Sequence, residues 1–473
     1  MGDHGTATDG VELRVGPVTV DVHPGLRTSW LRDADGSSVG VFLGHVIDYR
    51  NHRVIEDEVQ LIEPLAGGHD QALSQIEDFV YGFGGRWVFV ISYGGSSRLY
   101  LDADGSNSVV FDRAHRRAAS TTGLLLDDDD YVARFDAELY DTLRVRRDGW
   151  FPSGLTAHFG VERLLCNHYL DLDDWQVRRH WPTEDIHWTD DPRGHARRIA
   201  EIARSTVGTL ISESRVAASL TAGNETRFLL AAMRPFATEI DFVTNAAPGT
   251  ELDVHHAEQL SRRFGLRHVV LEPRKASARE MREWQYGASH TVGGNNMWYH
   301  PSIAPLGAYD YFVGGLGGEI GRAFFWRQAD AEASPLDPRS ICARFGMPLH
   351  PRVLHATTQW WASVEHMNTL TQLDLAYLEL RMSAWAFAQA YAQDRIVDHI
   401  HPLISRETFQ LMLELDPETK RNNGFVLEGI GMLWPELLEL PINKYGDYRD
   451  VVTLARKVIK PSRVVRRIRR RLG

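Results

Sequence analysis

The chain has 473 residues, of which 43% are hydrophobic and 24% charged, a globular composition with room for more than one core. Its formal charge of −11 is split: residues 456–473 hold nine Lys or Arg and no acid, leaving −20 for the remainder. An acidic body of that size repels nucleic acid. No apolar stretch reaches the length of a membrane span, and the start of the chain lacks a signal-peptide core.

Cys166 and Cys342 lie far apart with neither metal nor redox spacing, so the expectation is a cytoplasmic protein with two reduced thiols.

Residues 11–125 read as strands and turns. Stretches 11–20, 40–47, 87–93 and 98–102 are rich in β-formers, and Gly94-Gly95 predicts a hairpin turn. The spacing predicts one helix over 71–81. The acidic run 127–130 reads as a solvated loop, and residues 150–192, rich in Trp, Pro and Asp, read as a connector.

From about residue 193 the pattern changes to a helix over 195–211, then strand, loop and helix. The apolar run Val216-Ala-Ala-Ser-Leu220 ends in the small-residue loop Thr221-Ala222-Gly223-Asn224-Glu225-Thr226, and an apolar helical pattern follows. Such a turn offers backbone N–H groups and hydroxyls at a helix N-terminus, where a protein holds phosphate. Glu225 beside it suits the magnesium that accompanies a nucleotide.

A strand at 240–244, a helix at 252–264 and a strand at 267–271 complete a βαβαβ pattern, which implies a parallel sheet flanked by helices. A further strand, 310–313, opens into Gly314-Gly315-Leu316-Gly317-Gly318-Glu319. Two glycine-rich, acid-ending loops at one sheet edge can face a single nucleotide. The second is no dinucleotide fingerprint, because Ile320 stands where a third Gly or Ala belongs. Residues 355–435 read as largely helical.

Residues 210–320 resemble the synthetase domain of asparagine synthetase and its relatives, including β-lactam synthetase. Their pyrophosphate loop Ser-Gly-Gly-x-Asp-Ser is paralleled by the 221–226 loop, and their Ser-Gly-x-Gly-x-Asp-Glu by residues 314–320. Glu251-x-Asp253, Ala257 and His268 fall where the family has an acidic pair, a helix and a histidine, and Pro402-Leu-Ile-Ser405 resembles its Pro-Phe-Leu-Asp. In the N-terminal half, Val41-Phe-Leu-Gly-His-Val-Ile-Asp-Tyr-Arg-Asn51, Gly85-Arg86-Trp87 and Leu101-Asp-Ala-Asp-Gly105 resemble motifs of the family's glutaminase domain. No single motif is intact.

The resemblance implies an α/β protein. Residues 1–150 would form a degenerate class-II glutamine amidotransferase domain (Ntn-type, β-rich, αββα) and 151–192 a connector. Residues 193–450 would form a PP-loop ATPase domain with a parallel sheet and a helical C-terminal part, and 451–473 a basic amphipathic tail. The family's glutaminase nucleophile is an N-terminal cysteine, whereas position 2 here is Gly and no cysteine precedes Cys166. Its oxyanion-hole Asn-Gly reads Leu43-Gly44, and leucine donates no hydrogen bond. Losing both removes the covalent route and part of the transition-state stabilisation, so glutamine hydrolysis is not expected.

In the synthetase half the resemblance places ATP and pyrophosphate on Thr221, Ala222, Gly223, Asn224, Glu225, Thr226, Gly315, Gly317 and Gly318. It places Mg2+ on Glu225 and Glu319, where the family has aspartates. The implied reaction is AMP-forming ligation of a small-molecule carboxylate to ammonia or an amine, the nitrogen coming free, from an amine substrate or from an ammonia-supplying partner protein. Lys420 and Lys444 are the candidates for the family's catalytic lysine, and each also reads as an ordinary surface lysine. His255-His256 and His399-x-His401 read as structural. The other reading is a decayed, catalytically silent nucleotide-binding or scaffold protein. Leu454, Val458, Val465, Ile468 and Leu472 give the tail an amphipathic face, suited to an anionic membrane surface or an acidic partner and equally to a solvated helix. A tRNA-thiolating ATP pyrophosphatase is disfavoured by the acidic body and the lack of paired cysteines.

Overall fold

A computed structural model describes residues 10–451 apart from Ala66, Asp148, Glu213 and Arg395. Nearly the whole basic tail, and with it the membrane expectation, lies outside the described residues, as does Gly2.

The N-terminal half is organised by Ser38–Asp48, a strand buried along most of its length. Phe42 and Val46 lie in one core with Leu73, Ile76 and Val80 of helix His69–Val80. Their neighbour Val41 lies in another, with Val88, Val90 and Leu101. That alternation is the period-two rule of a strand covered on both faces. The strand pairs antiparallel with Gly84–Tyr93, which returns through a two-residue turn at Gly94-Gly95 into Ser96–Leu101. Both glycines have positive φ, 58° and 90°, as a type I′ hairpin demands.

The eight-stranded sheet runs from Val177–Arg179 through His168–Asp171, Ser96–Leu101, Gly84–Tyr93, Ser38–Asp48 and Thr28–Arg32 to Glu58–Gln60, with Arg53–Ile55 paired to Ser38–Asp48. Behind it lie the hairpin Val11–Val15/Val18–Val22 and a three-stranded sheet containing Val110–Asp112.

Three expectations need correction here. Residues 151–192 do not merely connect: His168–Asp171 and Val177–Arg179 are strands of the large sheet. The stretch 11–20 is a hairpin, not one strand, because Gly16 turns the chain at φ 58°. The acidic run is a helix start rather than a loop. Asp127 accepts the N–H of Asp130 at 2.8 Å as N-cap of helix Asp128–Ala133, and the following acids favour the positive end of the helix dipole.

In the C-terminal half five strands form one parallel sheet: β1 (Val216–Ser219), β2 (Asp241–Asn245), β3 (Arg267–Leu271), β4 (Tyr311–Val313) and β5 (Asp398–Ile400). Their order is β3-β2-β1-β4-β5, every pair parallel. The chain winds outward from β1 in one direction, then returns to start β4 on its other side. β5 was missed, hidden in a region that otherwise reads as helical. Helix α1 (Asn224–Ala232) follows β1 and α2 (Glu251–Phe264) follows β2. Val216 and Ala218 face the large core of flanking helices, and Ala217 faces Ile303 and Leu306 on the opposite side. Ile47 and Tyr49 of the N-terminal half pack in that same large core.

Ion pairs reinforce the junction. The Glu407 carboxylate accepts from Tyr49, Arg50 and Arg198, each at 2.7 Å, and these donors hold it down at about 2 against the cost of burial. A cleft of about 750 Å3 opens beside them, lined by Tyr49, Arg50, His52, Arg198, Arg204 and Phe236 among others. Among the described residues no helix is long and apolar enough to cross a membrane.

Candidate functional site

The strand order dictates where a ligand would sit. β1 and β4 are neighbours whose outgoing connections leave to opposite sides, and the crevice between such connections is the binding point of open α/β sheets. The first loop leaves β1 and the second leaves β4.

The first loop is braced from three sides. The N–H of Ala222 donates to Asp253 Oδ1 on α2 at 3.0 Å. The N–H of Gly223 donates to Thr221 Oγ1 at 3.1 Å, and that hydroxyl lies 2.6 Å from Thr226 Oγ1. At its base, Thr244 Oγ1 donates to the Leu220 carbonyl at 2.5 Å and sits 2.9 Å from His268 Nε2. Thus Asp253 and His268 shape the loop from the neighbouring strand and helix. Gly223 is the N-cap of α1 and offers no capping side chain, although the Glu225 carboxylate takes its own backbone N–H; a helix N-terminus so placed suits an anion.

The second loop hangs from β5. Gly314 donates to Ile400 O at 3.0 Å and Leu316 N–H to His401 Nδ1 at 3.1 Å. Burial pushes His401 down to about 3, which keeps the ring neutral and the acceptor available. A Cβ at Gly314 would lie 2.4 Å from His399 Nε2, so only glycine lets the imidazoles approach. His399 and His401, read as structural, are the support of this loop.

The loops touch. A Cβ at Gly315 would lie 2.8 Å from Thr226 Cγ2, and one at Gly318 would lie 2.7 Å from Glu225 Cγ. Gly317, at φ 107°, turns the chain so that its N–H reaches Glu319 Oε2 at 3.2 Å. The two glutamates therefore end up side by side, as their places on the two loops suggest. Burial, then the repulsion of Glu319, raises Glu225 to about 7; burial also raises Glu319. The sequence did not single out what lies between them. Arg322 Nε is 2.5 Å from Glu225 Oε1, and Arg322 lowers both carboxylates from where burial alone would put them.

Two buried carboxylates with one guanidinium fit a divalent cation that would share them with phosphate oxygens and water. Among the described residues no group of three or more His, Cys, Asp or Glu is arranged to hold a metal without such help.

The lysines separate. Lys420 is no surface residue: it is fully buried, and its Nζ donates to Asp374 Oδ2 at 2.6 Å. Trp326 and Trp188 cover it, 5.3 and 5.7 Å from Nζ. A lysine locked in that pair is part of the scaffold. Lys444 is exposed and lies beside the first loop. Its neighbour Asn443 donates its N–H to Ala222 O at 2.9 Å, and the Lys444 carbonyl faces His256 Nε2 at 2.7 Å. His256 is thereby a structural contact.

In the N-terminal half the corner at Leu43-Gly44 is closed. Asn107 Nδ2 reaches the Leu43 carbonyl at 3.5 Å, and its Oδ1 accepts from Arg86 at 2.9 Å. A Cβ on Gly44 would lie 2.3 Å from Arg86 O.

These features define a mixed α/β protein with a parallel sheet and a paired-loop crevice at the reversal of its strand order. No protein-family profile matches the chain, and no curated protein matches it. Among solved structures, one described as the allosteric regulatory enzyme of purine biosynthesis aligns with 13% identity over 71% of this chain and 74% of that one, at a TM-score of 0.19. A likeness at that score carries no argument about either fold or activity.

Proposed function

We propose that the chain is an ATP-dependent, AMP-forming amide ligase of the asparagine synthetase type, acting without glutaminase activity of its own. One observation carries this reading: two glycine-rich loops on adjacent parallel strands meet so that Glu225 and Glu319 adjoin an uncapped helix N-terminus. Phosphate oxygens suit the N-terminus of α1, and magnesium suits the carboxylates, where it would offset the charge of the phosphates. A carboxylate oxygen of the acid would attack the α-phosphorus and the bond to the β-phosphate would break, releasing pyrophosphate. The amine nitrogen would then attack the acyl carbon, lose a proton and expel AMP. Lys444, exposed beside the first loop, is the lysine better placed to meet charge developing on phosphate. Leu43 offers no side-chain donor where the resemblance expects the oxyanion-hole asparagine, so nitrogen is supplied as ammonia or amine, by diffusion or by a partner protein.

A second reading rests on the Arg322–Glu225 contact. If the guanidinium stays on the carboxylate it denies the metal a ligand, and the protein is a silent nucleotide-binding or scaffold protein. Calorimetry of ATP–magnesium against the intact chain and a Glu225→Ala, Glu319→Ala variant separates the two. Binding lost in the variant supports a nucleotide site at these carboxylates, where pyrophosphate release on adding an acid and an amine marks the ligase and its absence the silent nucleotide-binding protein; no binding by the unaltered protein supports the scaffold.

A further inference from the structure

The cleft at the junction of the two halves has no part in the nucleotide reading. Its walls come from both halves. Tyr49 and Arg50 follow strand Ser38–Asp48, whereas Arg198, Ile202, Arg204 and Gly208 belong to helix Pro192–Ile211. At about 750 Å3 it has room for a small organic molecule.

Three guanidinium groups line it, and the acids nearby do not offset all of them. Arg50 and Arg198 share the single Glu407 carboxylate, each at 2.7 Å, so one positive charge of the two is left over. Glu201 offsets little more, being exposed and 3.6 Å from Arg198. Arg204 makes no ion pair with any described residue. Its Nε donates to the Ala232 carbonyl at 3.3 Å, which anchors the stem and leaves both terminal nitrogens without a described partner. Arg50 and Arg198 stay reachable, with side chains 50% and 42% exposed. On a body that is acidic overall, a cleft of this sign draws anions.

The remaining lining includes apolar surface. Ile202 is buried at the cleft, and Phe236 packs on the bare helix backbone at Gly208, where a Cβ would lie 3.1 Å from Phe236 Cζ.

The cleft is also separate from the nucleotide loops. Ala232, which anchors Arg204, ends α1, and the first loop lies at the other end of that nine-residue helix, about 13 Å away at 1.5 Å per residue.

We infer that this cleft is a second anion site and that it binds an organic phosphate, a phosphate monoester carried on a flat apolar body. A phosphate monoester brings nearly two negative charges and three acceptor oxygens, so it can take donors from more than one guanidinium. A planar carboxylate is satisfied by a single guanidinium fork and leaves charge in this cleft unmet. The apolar body belongs against Phe236 and Ile202. Because both halves supply walls, the bound molecule bridges them.

The test is calorimetry of the full chain, without nucleotide, against phenyl phosphate, inorganic phosphate and phenylacetate. Phenyl phosphate is expected to bind saturably, inorganic phosphate several-fold more weakly, and phenylacetate at least about tenfold more weakly. Arg204→Gln, at a side chain with no ion pair to lose, is expected to weaken phenyl phosphate at least about tenfold. Arg50→Gln leaves Glu407 with Tyr49 and Arg198; it is expected to act in the same direction and serves if Arg204→Gln does not fold. No phenyl phosphate binding, an affinity matched by phenylacetate or by inorganic phosphate, or full affinity in either folded variant overturns the site. A phosphate seated at the first loop instead would show itself by keeping its affinity in both variants.

Discussion

Two pairs of neighbouring buried acidic side chains are treated oppositely in this molecule. Asp102 and Asp104, in the turn after strand Ser96–Leu101, are both essentially unexposed. Asp102 accepts N–H groups of Trp87, Ser106 and Asn107 at 3.0–3.2 Å and the Ser106 hydroxyl at 3.2 Å. Asp104 takes the Ser106 N–H at 3.0 Å, and burial beside Asp102 pushes its carboxyl far up. The repulsion of that pair is resolved inside the fold. Glu225 and Glu319 are held by the Gly317 N–H, their own backbone amides and the charge of Arg322, with Arg381 also acting on Glu319, yet burial still raises both. The first pair is a fastener; the second keeps charge for something that arrives from outside.

If that contrast is right, the largest losses of stability follow changes at groups already satisfied, and the largest losses of binding follow changes at groups that are not. The buried Lys420–Asp374 pair gives the severest case. Lys420→Ala strands a fully buried carboxylate and is expected to cost about 3–5 kcal/mol, measured by urea unfolding. Replacing both partners, as Lys420→Met with Asp374→Leu, is expected to recover most of the loss. A lysine needed for chemistry rather than folding would give a stable Lys420→Ala protein, and that result would reverse its assignment to the scaffold.

Next comes the fastener. Asp102→Ala leaves the backbone N–H groups of Trp87 and Asn107 without their acceptor, and a cost of about 2–4 kcal/mol is expected from unsatisfied buried donors. Glu319→Gln, by contrast, removes charge from a repelling pair. It is expected to change stability by less than about 1 kcal/mol, in the direction functional sites commonly show when their strain is relieved, while ATP–magnesium affinity falls at least about tenfold. Equal stability losses in Asp102→Ala and Glu319→Gln would erase the distinction between the two acidic pairs.

The same distinction governs how far the sequence could be read. The strand–loop–helix units, the hairpin at Gly94-Gly95 and the two glycine-rich loops were legible because they depend on local pattern and on φ values that glycine supplies. That Glu225 and Glu319 become neighbours was legible once both loops were placed on one parallel sheet. Three things were not. Asp398–Ile400 is too short, in too helical a neighbourhood, for periodicity to mark a strand. Lys420 looks like any lysine in Pro-Glu-Thr-Lys-Arg, and its burial depends on Asp374, 46 residues away. Arg322 carries no motif at all; its significance comes from side chains gathered by tertiary packing.

A further expected effect is a pH dependence, and it separates the support of the second loop from the stability of the whole. Burial depresses His158 and His168 to about 4 and His290 and His401 to about 3. An unfolded histidine takes a proton near pH 6.5. Between about 6.5 and 4 the unfolded chain thus binds protons that the folded chain does not, so stability falls as pH is lowered through that window and is flat with respect to these groups above it. Glu407, held at about 2, adds to the loss only below the usual carboxylate range. His401, however, stays neutral throughout that window and keeps its hold on Leu316. The melting temperature is therefore expected to drop between pH 7 and pH 5, while the backbone amide of Leu316 stays protected from exchange once intrinsic rates are corrected for pH. Loss of Leu316 protection ahead of global unfolding would mean that His401 titrates with the others, and that the second loop is held by something other than a neutral imidazole.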